Sequence, residues 1–174
     1  MIPNPIAFEI PVKDVMTTAE SCTIVTDSPE GTRAVAAHIG RLAKPSLVIA
    51  LSGELGSGKT CFVQGLAQGL QVPADRYVTS PSYTLIHSYP GRLTLHHVDL
   101  YRLAGGDLED IGLLDLMEES GVTAIEWPER LAADLPREHL AVDIRFVDET
   151  SRRITLTAYG LAPSILLQGL PNVS

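Results

Sequence analysis

Gly53-Glu54-Leu55-Gly56-Ser57-Gly58-Lys59-Thr60 brings together residue types suited to one task, gripping a chain of phosphates. Glycine, four residues, glycine, lysine and then serine or threonine is the spacing of a phosphate-binding loop. Gly53, Gly56 and Gly58 permit backbone dihedrals that a side chain forbids. Successive N–H groups, those of Leu55, Ser57 and Cys61 included, can then turn toward one anion. Lys59 would reach the β- and γ-phosphates, and the Thr60 hydroxyl would ligate the magnesium that bridges them.

A magnesium nucleotide also needs a carboxylate, at the carboxyl end of a buried strand. Two segments offer one. Leu93-Thr94-Leu95-His96-His97-Val98-Asp99 ends in Asp99, and Val122-Thr123-Ala124-Ile125-Glu126 ends in Glu126. A capped turn or an ion pair with Arg102 competes for Asp99, and a solvated strand end competes for Glu126. Ser80, Ser82 and Thr84 follow the loop as a hydroxyl-rich stretch, Ser80-Pro81-Ser82-Tyr83-Thr84. It reads either as a switch segment that senses the γ-phosphate or as a Ser-Pro turn entering an edge strand. His96 and His97 are adjacent, so on a strand they point to opposite faces and cannot share a metal ion. One is expected in the core and the other in solvent. Trp127, the one tryptophan, is either a core aromatic or a wall of the site.

The elements that must hold these groups can be read around them. Residues 47–51 form an apolar run that enters the loop as a strand, and 61–70 leave it as a helix. Ser28-Pro29-Glu30-Gly31-Thr32 opens an earlier helix, which Pro45 ends. Pro90-Gly91 marks a turn between strands at 84–89 and 93–99. Residues 77–86 are rich in strand formers but interrupted by Pro81. A short acidic helix is expected at 108–118, with Ile111, Leu113, Leu114 and Met117 as its apolar positions and Gly121 as its cap. Residues 140–146 and 153–158 alternate like an antiparallel pair. These elements predict an α/β fold, P-loop NTPase-like, with three α/β/α layers around a mixed sheet.

A chain of 174 residues, 45% hydrophobic and 20% charged, suits one domain with a sizeable core. Its expected extent is 22–160, between a loose extension at 1–21 and a Pro- and Gly-broken tail at 161–174. The net charge of −8, with no basic run, argues against tight binding to nucleic acid by this chain alone. Cys22 and Cys61 make neither a disulfide framework nor a metal site, which fits a reducing cytoplasm. No apolar run of about 18 residues predicts a membrane span.

Taken together, the phosphate loop, Thr79-Ser80-Pro81-Ser82-Tyr83-Thr84, His97-Val98-Asp99-Leu100-Tyr101-Arg102-Leu103 and Ile125-Glu126-Trp127-Pro128-Glu129 resemble the bacterial TsaE family, also called YjeE. The resemblance covers about 22–159. It implies a small P-loop ATPase, using ATP/ADP and Mg2+, that works with TsaB and TsaD to form threonylcarbamoyl-adenosine beside the tRNA anticodon. In that family TsaD is the transferase, and contact with tRNA is indirect, through the complex. By the same resemblance Lys59 and the loop amides hold phosphates, and Thr60 and Glu126 are the magnesium ligands. Asp99 is the carboxylate needed for hydrolysis, Thr32 lies near the base, and Trp127 lies at the site's edge. Cys61 departs from the family's usual threonine, and Ser82 replaces another. A small-molecule kinase would need an Arg-bearing lid, and the arginines here are dispersed. A GTPase-type switch would need a guanine-reading Asn-Lys-x-Asp segment, which the chain lacks. A scaffold that only binds ADP would not need the lysine, threonine and two carboxylates together.

Overall fold

The computed structural model describes residues 20–103, 112–131 and 134–170. In chain order these form β1 (Glu20–Thr26), α1 (Pro29–Leu42), β2 (Leu47–Ser52), α2 (Lys59–Gly69), β3 (Ile86–Tyr89) and β4 (Leu95–Asp99). Then come α3 (Leu113–Glu118), β5 (Val122–Glu126), β6 (His139–Phe146), β7 (Arg152–Tyr159) and α4 (Leu161–Gln168). The strands make one sheet in the order β1-β7-β6-β2-β5-β4-β3. β2 lies between β5 and β6 and is parallel to both, and β4 is parallel to β5. The edges are antiparallel, with β3 on β4 and with β7 between β6 and β1.

Burial follows this topology. β4 and β5 are buried at every position, and β2 at all but its last, because parallel strands are covered on both faces. β6 and β7 alternate in and out over most of their length. Their outer face, continued onto β1, carries hydroxyl pairs such as Ser21–Thr157 and Thr23–Thr155, each 3.3 Å apart. One core, containing Ile39, Ile49, Phe62, Leu66, Leu140 and Leu156, lies under α1, α2 and α4. A second, with Val98, Leu113, Met117 and Ile125, lies on the opposite face, under α3.

Local chemistry sets the helices that matter here. The Ser28 hydroxyl accepts the Gly31 N–H at 3.2 Å, and Pro29 opens α1. Arg92 closes its far end on the carbonyls of Arg41 and Ala43, at 3.1 and 2.8 Å. α1 and α2 meet backbone to backbone. A Cβ at Gly65 would overlap the Arg33 carbonyl oxygen, and one at Gly40 would lie 2.6 Å from the Leu66 oxygen.

Several sequence expectations are corrected. β1 begins at Glu20, inside the segment read as a loose extension, and pairs with β7 along its whole length. Of residues 77–86 only Ile86 is in a strand, so the hairpin begins at Ile86, two residues later than the expected Thr84. Leu85 has a φ of 65° there, which a strand does not allow. Gly121 does not cap α3, whose cap is Glu119. A Cβ at Gly121 would strike the His96 ring. Residues 108–111 of the expected acidic helix, Ile111 among them, lie outside the described residues. The tail, read as broken, is helical from Leu161, because Pro163 sits in the first turn where no backbone bond is lost. Leu166 and Leu167 bury against the first core. Gln168 donates to Glu20 at 3.3 Å, so the two ends of the described domain meet. Among the described residues no helix is long and apolar enough to cross a membrane.

Candidate functional site

The site forms where β2, β4 and β5 end together. β2 runs into the glycine-rich loop, in which Gly53, Gly56 and Gly58 all have positive φ. Gly58 precedes α2, and no side chain caps that helix end. The first intrahelical bond is Phe62 N–H to Gly58 O at 2.9 Å. The amides of Gly58, Lys59, Thr60 and Cys61 therefore have no partner within α2, so this end is able to receive an anion. The Ser57 amide is spent inside the loop, on Glu54 O at 3.1 Å. Arg152 braces the loop from the side, donating to Ser57 O at 2.9 Å with its guanidinium over Phe146. Nothing in the local sequence marks Arg152, which arrives from the start of β7, 95 residues away.

Lys59 is buried. Its ammonium donates to the carbonyls of Gly53 and Glu54, at 2.8 and 2.9 Å, and lies 4.0 Å from the centre of the Trp127 ring. Burial lowers its pKa, while Glu126, Asp99 and Glu129 act in the opposite direction. Trp127 reaches that position because its φ is 61° and its ψ 51°, a left-handed turn directly after β5. The half-buried ring also packs on Tyr101 and lines the cleft.

Glu126 and Asp99 are in register on neighbouring parallel strands, so their side chains share a face, and both are buried. The Thr60 hydroxyl donates to Glu126 Oε1 at 2.9 Å, across 66 residues of sequence. Asp99 accepts from Ser80 and, at 3.0 Å, from Ser82, both at Oδ2. Its Oδ1 accepts the Tyr101 N–H at 3.0 Å. Arg102 instead lies over the Tyr83 ring at 4.5 Å, and no ion pair joins it to Asp99 among the described residues. Thr84 is not gathered in. Its hydroxyl sits 2.9 Å from His87 Nε2 at the surface.

A cleft of about 260 Å3 is lined by Leu55, Gly56, Gly58, Lys59, Thr60, Cys61, Ser80, Ser82, Asp99, Tyr101, Glu126 and Trp127. A second cleft, about 290 Å3, flanks the same loop between Pro29, Thr32, Cys61, Glu149, Thr150 and Arg152. Thr32 is buried there, with its hydroxyl 2.9 Å from that of Thr26. Burial pushes the Cys61 thiol up, so it stays protonated, though Arg33 opposes the shift. The Cys61 side chain is therefore a poor anion ligand, and its backbone is what it offers.

The oxygen donors of Thr60 and Glu126 suit a hard cation such as magnesium. No cluster of three or more His, Cys, Asp or Glu is arranged as a metal cage among the described residues. The sequence missed His97. Both histidines of the adjacent pair are buried, and His97 Nε2 lies 2.9 Å from Glu126 Oε1. His96 is buried on the other face, with its Nδ1 2.8 Å from the Ser88 hydroxyl.

Three layers about a mixed sheet, with a strand, glycine loop and helix crossing its middle, define a P-loop NTPase-like α/β protein. The family model described as threonylcarbamoyl adenosine biosynthesis protein TsaE matches residues 26–154, and the chain belongs to that family. A tRNA threonylcarbamoyladenosine biosynthesis protein TsaE from Treponema pallidum (strain Nichols) is 42% identical over 133 residues, 76% of this chain and 97% of its own. The protein of the same name from Bacillus subtilis (strain 168) is 39% identical over 146 residues, 83% of this chain and 90% of its own. The crystal structure of Bacillus subtilis YdiB superposes with a TM-score of 0.76 at 34% identity, covering 87% of this chain and 94% of that one.

Proposed function

We propose that this protein binds Mg-ATP, hydrolyses it slowly by itself, and so supports the threonylcarbamoyl modification of tRNA adenosine together with TsaB and TsaD. It is not the transferase, and it meets tRNA only through the complex. The observation that carries the proposal is the 2.9 Å contact of Thr60 with Glu126 beside the uncapped start of α2. That contact brings both magnesium-ligand types to the mouth of the anion site.

In this reading the loop amides and Lys59 grip the β- and γ-phosphates. The nucleoside extends past Cys61 into the cleft beside Thr150 and Arg152. Thr32 shapes that cleft by packing, since its hydroxyl is already taken by Thr26. Thr60 and Glu126 would hold magnesium, which would supply neutralisation of the phosphate charge. Asp99 orients the attacking water and accepts its proton. Ser80 and Ser82 hold that carboxylate in place, and they would be released or reordered as the γ-phosphate comes and goes. Such a reaction depends on positioning and charge neutralisation, with little covalent chemistry by the protein.

The test is phosphate release from Mg-ATP by the purified chain, alone and with TsaB, TsaD and substrate tRNA. Slow release alone, stimulated at least about tenfold by the partners, is expected, since among the described residues no arginine lines the cleft between Lys59 and Asp99 as a finger. A rate unaffected by the partners, or the appearance of a phosphorylated small molecule in place of free phosphate, would reject the proposal.

A further inference from the structure

We infer that His97 is a positioning residue for the metal-binding carboxylate, and that its one hydrogen bond fixes which oxygen of Glu126 is left to the cation. The inference rests on the Mg-ATP reading above. His97 is 0% exposed in the middle of β4. Its neighbour in register on β5 is Ala124, whose single methyl leaves room for an imidazole on the face that Glu126 shares. Nε2 stands 2.9 Å from Glu126 Oε1, the same oxygen that takes the Thr60 hydroxyl. A carboxylate oxygen only accepts, so the ring hydrogen is on Nε2. Two donors therefore converge on Oε1, while no hydrogen bond reaches Oε2 among the described residues.

The other ring nitrogen supports this role. Nδ1 is buried with no hydrogen-bond partner. A stranded polar atom in a core is a cost, and a leucine would fill the same slot without it. The one polar contact of the ring is therefore the one at Nε2. Thr60 cannot replace it, because its hydroxyl is needed by the metal as well, whereas His97 serves Glu126 alone. Partners that orient a metal-bound carboxylate from behind set both its geometry and its affinity.

The experiment is Mn2+ binding to the full chain loaded with ADP, followed by electron paramagnetic resonance. ADP affinity in EDTA is measured beside it. His97→Leu is expected to weaken Mn2+ binding about 10- to 100-fold, with metal-free ADP affinity unchanged. His97→Gln, whose amide nitrogen reaches about as far as Nε2, is expected to stay within about threefold of the parent. Wild-type Mn2+ affinity in the Leu variant, or equal weakening in Gln and Leu, overturns the inference. If the Leu variant does not fold, His97→Asn takes its place. Its amide is too short to reach Glu126, so Asn and Gln must differ, and equal affinities overturn the inference. Glu126→Ala separates the two levels. If it loses Mn2+ while His97→Leu keeps it, only the role of His97 falls. If it keeps Mn2+, the metal site and the inference fall together.

Discussion

Lys59 is held by two carbonyls and a tryptophan ring, with three acidic side chains, Glu126, Asp99 and Glu129, acting on it. Such a buried cation is costly unless it meets an anion in use. Lys59→Ala is therefore expected to lower single-turnover phosphate release by at least about 100-fold. Glu126→Ala should do the same, through the metal. Near-parental release by either variant in a quench assay would remove that residue from the site. The lysine, the threonine and the two carboxylates could be found in the sequence because spacing alone reveals them: a fixed loop pattern, and acids at the ends of apolar runs. His97 could not. Alternation assigns one of two adjacent residues to solvent, but that rule holds for a sheet with one wet face, and β4 is covered on both. Thr84 misled for a related reason. A hydroxyl-rich stretch shows composition, and only the left-handed Leu85 decides which hydroxyls turn inward.

Between α1 and α2 the glycines set the geometry. Gly65 is inside α2, where alanine would ordinarily gain about 1 kcal/mol from helix propensity. Here the added methyl would overlap a backbone carbonyl and lie 2.7 Å from the Ala36 Cβ. Backbone cannot rotate away, so overpacking of about 1–3 kcal/mol wins. Gly65→Ala should lower the midpoint of urea unfolding, and an unchanged or raised midpoint would refute the close crossing. The helices around the loop were readable from Ser28, Pro29 and the apolar spacing. β1 was not, because ESCTIVT is polar on the face that carries the hydroxyl pairs and follows a Pro-containing acidic segment. Only pairing with β7 makes it a strand. α4 was hidden by Pro163, which reads as a breaker but is harmless in a first turn.

Stability as a whole carries a pH signature. Burial lowers the pKa of His96, against the opposing pull of Glu119, and lowers that of His139, against a hydrogen bond to the Pro136 carbonyl. Both folded values lie below the unfolded 6.5, so between the two the unfolded chain binds more protons. Stability is then full above the unfolded value and declines as pH falls through it toward the folded values. The melting temperature should drop by a few degrees between about pH 7.5 and about pH 5.5. His139→Gln should remove part of that slope, and a flat profile in the parent would contradict the burial of His96 and the partial burial of His139. One further consequence comes from Gln168 meeting Glu20. β1 runs parallel to β2, so Glu20 and the start of α4 lie at the rim of the sheet opposite the glycine loop. A linker attached to the side chain at Glu20 or Gln168 would hold the molecule by that rim, leaving the glycine-loop cleft facing solution on a sensor chip or bead.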